Sequence, residues 1–147
     1  MTSPTTTSAT TTPAGSNTAS DVDVIRAGFA AVAAGDMAGF AAVFHPDATW
    51  NHRNPDRLGG VHAGVDAIVT FLADSMSLTT GTLRPIPQTV LTDGAGHVAV
   101  LTQISGTRPD GRTFDDTQIL LFTMEQGRAR TVDQYIGDPP AVTAFWA

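Results

Sequence analysis

Hydrophobic positions recur at helical spacing in the first half of the chain and alternate with polar ones in the second. Val22, Ile25, Phe29 and Val32 follow one another at intervals of three and four, a single apolar stripe that predicts a helix. Ser20 is placed to cap it, and Asp21 and Asp23 fall in its first turn, where the helix dipole favours negative charge. Gly35 ends the stripe and Asp36 is positioned to cap a second helix, with Met37, Phe40, Val43 and Phe44 inward. His45-Pro46 stops it, because the residue before proline avoids the α region.

Ala48 to Arg53 reads as a short strand, followed by a loop rich in Asn, Pro, Asp and Gly. Gly64 to Met76 predicts a third helix with Val65, Ile68, Leu72 and Met76 on one side. From there the period drops to two. Four strands, 84–92, 97–107, 112–124 and 128–137, are separated by Asp93-Gly94-Ala95-Gly96, Pro109-Asp110-Gly111 and Gln126-Gly127. Pro139-Pro140 opens a short closing helix that ends in Phe145 and Trp146. Helices early and strands late predict an α+β domain: a curved antiparallel sheet wrapped around a helical hairpin and a third helix.

Residues 1–19 are outside this pattern. They hold Thr, Ser, Pro and Ala with neither charge nor large apolar side chains, a composition that predicts a disordered tail ahead of a folded domain at 20–147.

Composition narrows the chemistry. The chain of 147 residues is long enough for one domain, and 41% hydrophobic residues suffice for a core. A net charge of −6 with scattered Arg gives no basic face for nucleic acid. The absence of Cys removes disulfides, thiolate metal sites and cysteine nucleophiles. The absence of Lys removes Schiff-base chemistry with a protein amine. With Glu125 the only glutamate, acid–base work falls to Asp, His, Tyr135 or water. The four histidines lack short metal-ligand spacings, so no metal site is expected, and no phosphate or dinucleotide fingerprint appears. No apolar run is long enough to span a membrane and the N-terminus lacks a signal-like start, so the expected location is cytoplasmic.

The order of elements, with FHPDATW, GGVHAG and GRARTVDQYIGD in their places, resembles the nuclear-transport-factor-2-like superfamily, in its SnoaL-like and ketosteroid-isomerase-like branch. The resemblance covers about residues 20–146. It implies a cone-shaped sheet over a deep apolar pocket and, with the outer sheet face to be covered, a homodimer in which Ile119 and Leu121 could make the contact. The catalytic Asp of ketosteroid isomerases follows an Ala-Thr-x-x stretch, and Ala48-Thr49-Trp50-Asn51 here leads to His52. The last-strand Asp of SnoaL-type cyclases falls on Gln134, next to Asp133, and their His falls on about Leu120.

Three residues are therefore candidates for proton chemistry. His52 shares a strand face with Trp50, and imidazole is the side chain best matched to proton transfer near neutral pH. Asp116 shares the apolar face of its strand with Gln118 and Leu120, where an unpaired carboxylate is costly; solvation at the strand end or pairing with Arg is the plainer account. Asp133 lies on the last strand, whose inner face is either that of Asp133 and Tyr135 or that of Gln134. Trp50, Gln118, Gln134 and Tyr135 are candidate substrate-binding groups. Arg53 and His62, in the loop after the first strand, could attract a polar ligand group, although ordinary surface pairs between Asp56 and the two arginines account for the loop equally.

The expected function is a cofactor-free enzyme acting by acid–base chemistry on a hydrophobic oxygenated small molecule, as a cyclase, isomerase or dehydratase. The alternatives are an epoxide hydrolase or epoxide-opening cyclase, and a non-catalytic binding or dimerisation module.

Overall fold

The computed structural model describes residues 18–147, with side chains from Asp21 onward, so nearly all of the expected tail lies outside the described residues. Helices α1 (Thr18–Ala34) and α2 (Met37–Ala41) form the expected hairpin. They are followed by strands β1 (Phe44–His52) and β2 (Gly60–Ala63), helix α3 (Val65–Leu78), strands β3 (Arg84–Thr92), β4 (His97–Thr107), β5 (Thr113–Glu125) and β6 (Arg128–Tyr135), and helix α4 (Pro139–Trp146). The α+β class is as read from the pattern.

One six-stranded sheet carries all the strands, in the order β2-β1-β6-β5-β4-β3. The last four strands form the predicted meander. β1 joins it in parallel beside β6, with Trp50 opposite Val132 and His52 opposite Gln134. The β3 edge is built for its position. β3 carries Pro85 and Pro87, which cannot complete a ladder on both sides, and a register shift lies between Pro87 and Thr89. The hairpin between β5 and β6 turns on Gln126 and Gly127, both at positive φ, as a tight two-residue connection requires.

Three local expectations are corrected. Helix α1 begins at Thr18, so Ser20 lies within it rather than at its cap. The first strand starts at Phe44, four residues early, because its pairing with β6 shifts register between Phe44 and Thr49. Pro46 sits in that irregular stretch, where a missing N–H breaks no ladder bond. Gly60–Ala63, read as loop, is a short edge strand paired with β1. Its four residues are too few to show alternation.

The helices cover the concave face: α1 reaches β3 and β4, α3 packs on β1 and β2, and α4 on β5. The resulting core contains a run of aromatic rings, Phe40, Phe44, Trp50 and Phe71, each within about van der Waals reach of the next. A second group, Phe114, Phe145 and Trp146, seats α4. Asp36 caps α2 through Gly39 N and Asp138 caps α4 through Ala141 N. At the other end of α4, Arg112 donates to the carbonyls of Ala144, Phe145 and Ala147, which have no helical partner.

Ile68 of α3 is fully buried and Val61 of β2 is 62% exposed. Ile68→Ala should therefore lower unfolding free energy by ~2–5 kcal/mol, and Val61→Ala should change it by less than ~0.5 kcal/mol. Urea denaturation of the two variants checks both.

Candidate functional site

Between the helices and the concave sheet face lies a cavity of about 90 Å³. That is room for several waters or part of a small ligand. Its walls are mainly aliphatic and aromatic, from Ile25 and Phe29 of α1 to Phe122 of β5 and Trp146 of α4. Among the described residues, only His52, Ser75, Gln118, Gln134 and the indole N–H groups of Trp50 and Trp146 bring side-chain polarity to the lining, and His52 is its only titratable group.

Strand register explains why these groups meet. Gln134 of β6 lies opposite His52 of β1 on one side and Leu120 of β5 on the other. Trp50 and Gln118 stand two positions along, on the same face. Gln134 Oε1 accepts from Trp50 Nε1 at 2.8 Å and lies 2.9 Å from His52 Nδ1. Gln134 Nε2 donates to Gln118 Oε1 at 2.6 Å, and Gln118 Nε2 donates to Asp116 Oδ2 at 3.0 Å. Unpaired, each of these buried groups would carry a desolvation penalty.

The second nitrogen of His52 faces a carboxylate. Nε2 lies 2.9 Å from Asp56 Oδ2, and neither side chain is appreciably exposed. Asn54 Nδ2 donates to the same oxygen, and Leu58 N donates to Asp56 Oδ1 at 2.8 Å. Burial pushes the Asp56 carboxyl upward, but the hydrogen bonds from His52 and Asn54, the charge of His52 and the Leu58 amide outweigh it and hold the group below its ordinary value. Asp56 is the site residue that the pattern misses, since its sequence context suggests only surface pairs with Arg53 and Arg57. The available signal was its position four residues beyond His52, where a loop folding back over a strand end can bring a carboxylate to the ring.

The other candidates divide. Trp50, Gln118 and Gln134 line the cavity. Asp116 is buried but turned along the strand end, where it accepts from Gly137 N and Asp138 N, each at 3.0 Å, as well as from Gln118. It holds the turn into α4 and does not line the cavity. Asp133 lies on the opposite sheet face and accepts from Arg53 Nη2 at 2.8 Å, which corrects its placement as a catalytic group. Tyr135 shares that outer face, with the Arg53 guanidinium over its ring. Neither Arg53 nor Tyr135 reaches the cavity. His62 Nε2 donates to Leu58 O and its ring stacks on Phe71, so it secures the loop from behind the wall. No group of three or more metal-binding side chains occurs among the described residues.

The curved sheet is closed by helices over an apolar hollow with a few convergent polar groups on its floor. The chain belongs to the SnoaL-like family of the nuclear-transport-factor-2-like superfamily: residues 25–132 match the SnoaL-like domain. It is similar to an uncharacterized protein of Mycobacterium tuberculosis, Rv0034, at 32% identity over 127 residues, covering 86% of this chain and 96% of that one. Among solved structures it is similar to Bal32a from a soil-derived mobile gene cassette, with a TM-score of 0.85 and 26% identity over 88% of this chain and 98% of that one. TerC, crystallised with polyporic acid, superposes with a TM-score of 0.76 at 26% identity, covering 86% and 97% of the two chains. Among the described residues no helix is long and apolar enough to cross a membrane.

Because the Asp56 carboxyl is held below the ordinary value of about 3.9, its contribution to stability is present above that value. It is lost as pH falls through the lower folded-state value. Acidification from about pH 6 to about pH 3 should therefore lower the stability of the parent protein. Urea midpoints measured across that range check the loss.

Proposed function

We propose that the protein is a cofactor-free enzyme that moves protons on a hydrophobic oxygenated small molecule, as a cyclase, isomerase or dehydratase. The observation that carries this reading is His52: among the described residues the one titratable group on the wall of an apolar cavity, backed by the buried carboxylate of Asp56. A carboxylate behind an imidazole orients the ring and stabilises its charged form, the arrangement that general acid–base catalysis requires. Apolar walls select a greasy substrate, and the amides of Gln118 and Gln134 supply donors for its oxygen. The likeness to TerC, crystallised with polyporic acid, supports an oxygen-bearing small organic molecule as ligand.

Epoxide hydrolysis needs a carboxylate at the cavity, and the two put forward for it, Asp116 and Asp133, are engaged elsewhere. A specific observation does favour the non-catalytic reading: both His52 nitrogens already have protein partners. His52→Ala separates the two. In an enzyme it should lower turnover of fused-ring ketones and enones by ~10²–10⁴; thermal stabilisation by such compounds with no turnover by the parent protein would favour a binding module.

We further propose that two copies pair through the outer sheet face. Leu101, Ile119 and Tyr135 lie side by side across β4, β5 and β6, all substantially exposed. Sedimentation of the full chain should give a dimer, and Ile119→Asp should shift it to monomer.

A further inference from the structure

The hydrogen bonds around His52 constrain where its protons can sit. An indole nitrogen can only donate, so Trp50 requires the atom it meets on Gln134 to be the carbonyl oxygen. At the far end, Asp116 accepts from two backbone amides, so the atom of Gln118 that meets it is the amide nitrogen. Between those ends Gln134 donates to Gln118. Reversing either amide would set donor against donor at Trp50 or acceptor against acceptor at Asp116. The whole string therefore points one way, and Gln134 can offer His52 Nδ1 only an acceptor.

The other ring nitrogen meets an acceptor too. Both Asp56 oxygens already receive hydrogen bonds, from Asn54 and Leu58, and the contact to His52 Nε2 at 2.9 Å needs a proton. The remaining groups around the ring do not alter this count. Phe71 of α3 lies against it at 5.6 Å between centroids, His62 of β2 lies beyond Phe71 with its own Nε2 donating to Leu58 O, and Arg53 is held on the outer face by Asp133.

We infer that the cavity's resting state is a proton-loaded pair, in which His52 carries a proton on each ring nitrogen against the Asp56 carboxylate and so meets its ligand as an acid. This rests on the reading of the cavity as the functional site. The pair is neutral overall, which suits its burial. A ligand oxygen entering beside Gln134 takes over Nδ1–H as its donor. Transfer breaks the Nδ1–H bond, forms an O–H bond and leaves a neutral imidazole with Nε2–H still on Asp56. In an isomerisation the proton released from a ligand carbon returns to Nδ1. In a dehydration the first proton leaves in water and the carbon-bound proton restores the acid. No other reactant is consumed. The ligand class that fits is an apolar ring compound with an acceptor oxygen, such as a ketone, an enolate or a leaving hydroxyl. Trp50 and Asp116 are then positioning residues, acting on His52 through the two amides.

The test is long-range ¹H–¹⁵N correlation of the histidine rings in the full chain at neutral pH, with His52 assigned by the signal lost in His52→Gln. The expected result is that both ring nitrogens resonate as protonated, and that Asp56→Asn converts Nε2 to a bare nitrogen. A parent spectrum with one bare nitrogen would overturn the inference, as would an Asp56→Asn spectrum unchanged from the parent. Neither readout involves turnover, so failure here is separate from failure of the enzymatic reading, which His52→Ala kinetics decides.

Discussion

The inner face of the sheet depends on one shared oxygen, Oε1 of Gln134. It lies at the meeting point of three strands and faces the indole of Trp50 and the imidazole of His52, both brought there by β1. Each of these side chains is buried, and each would be destabilising there without a partner. Because the partners come from β1, β5 and β6, the polar string ties the parallel junction of β1 and β6 to the antiparallel meander at the depth where the cavity needs a fixed floor. A wholly apolar floor could fill the same space, but it would give a ligand oxygen nothing to align against. Buried polar networks of this kind are high-stakes: satisfied, they specify one arrangement, and here every member has a partner.

Most of the framework was legible because it follows from local rules. The turns at 93–96, 109–111 and 126–127 bound the strands of the meander to within two residues, since Gly and Asp are needed there for backbone reasons that tertiary packing does not override. Alternation put His52 and Trp50 on one strand face, and both line the cavity. Alternation was weaker on β6, where Val132 and Gln134 alternate with Asp133 and Tyr135, and each set mixes an apolar or aromatic group with a polar one. The structure turns Val132 and Gln134 inward and gives Asp133 to Arg53 on the outer face.

Asp56 and Asp116 were harder for a different reason. A residue's face can be read from its strand, but a partner supplied by an irregular segment cannot. Asp116 is on the inner face as expected, yet its oxygens are taken by Gly137 and Asp138, whose position depends on how the chain leaves β6. Gly137 has to be glycine for that approach: a Cβ there would collide with Thr117 O and press on Asp116 Oδ1. Asp56 sits in a segment without periodicity, folded back so that Gly59 lies against the Asn54 carbonyl, and only that compact turn brings its carboxylate to the ring.

Gln134 occupies the position where the resemblance to SnoaL-type cyclases places a carboxylate. Substituting an amide there does more than delete an acid. A carboxylate beside His52 would accept from it and from Trp50 but could not donate to Gln118, so the string toward Asp116 would break and a second buried negative charge would compete with Asp56 for the same imidazole. The amide accepts on one side and donates on the other, which leaves Asp56 as the single counter-charge. The buried imidazole–carboxylate pair thus lies on the first strand and its following loop, while the last strand holds the ring in place.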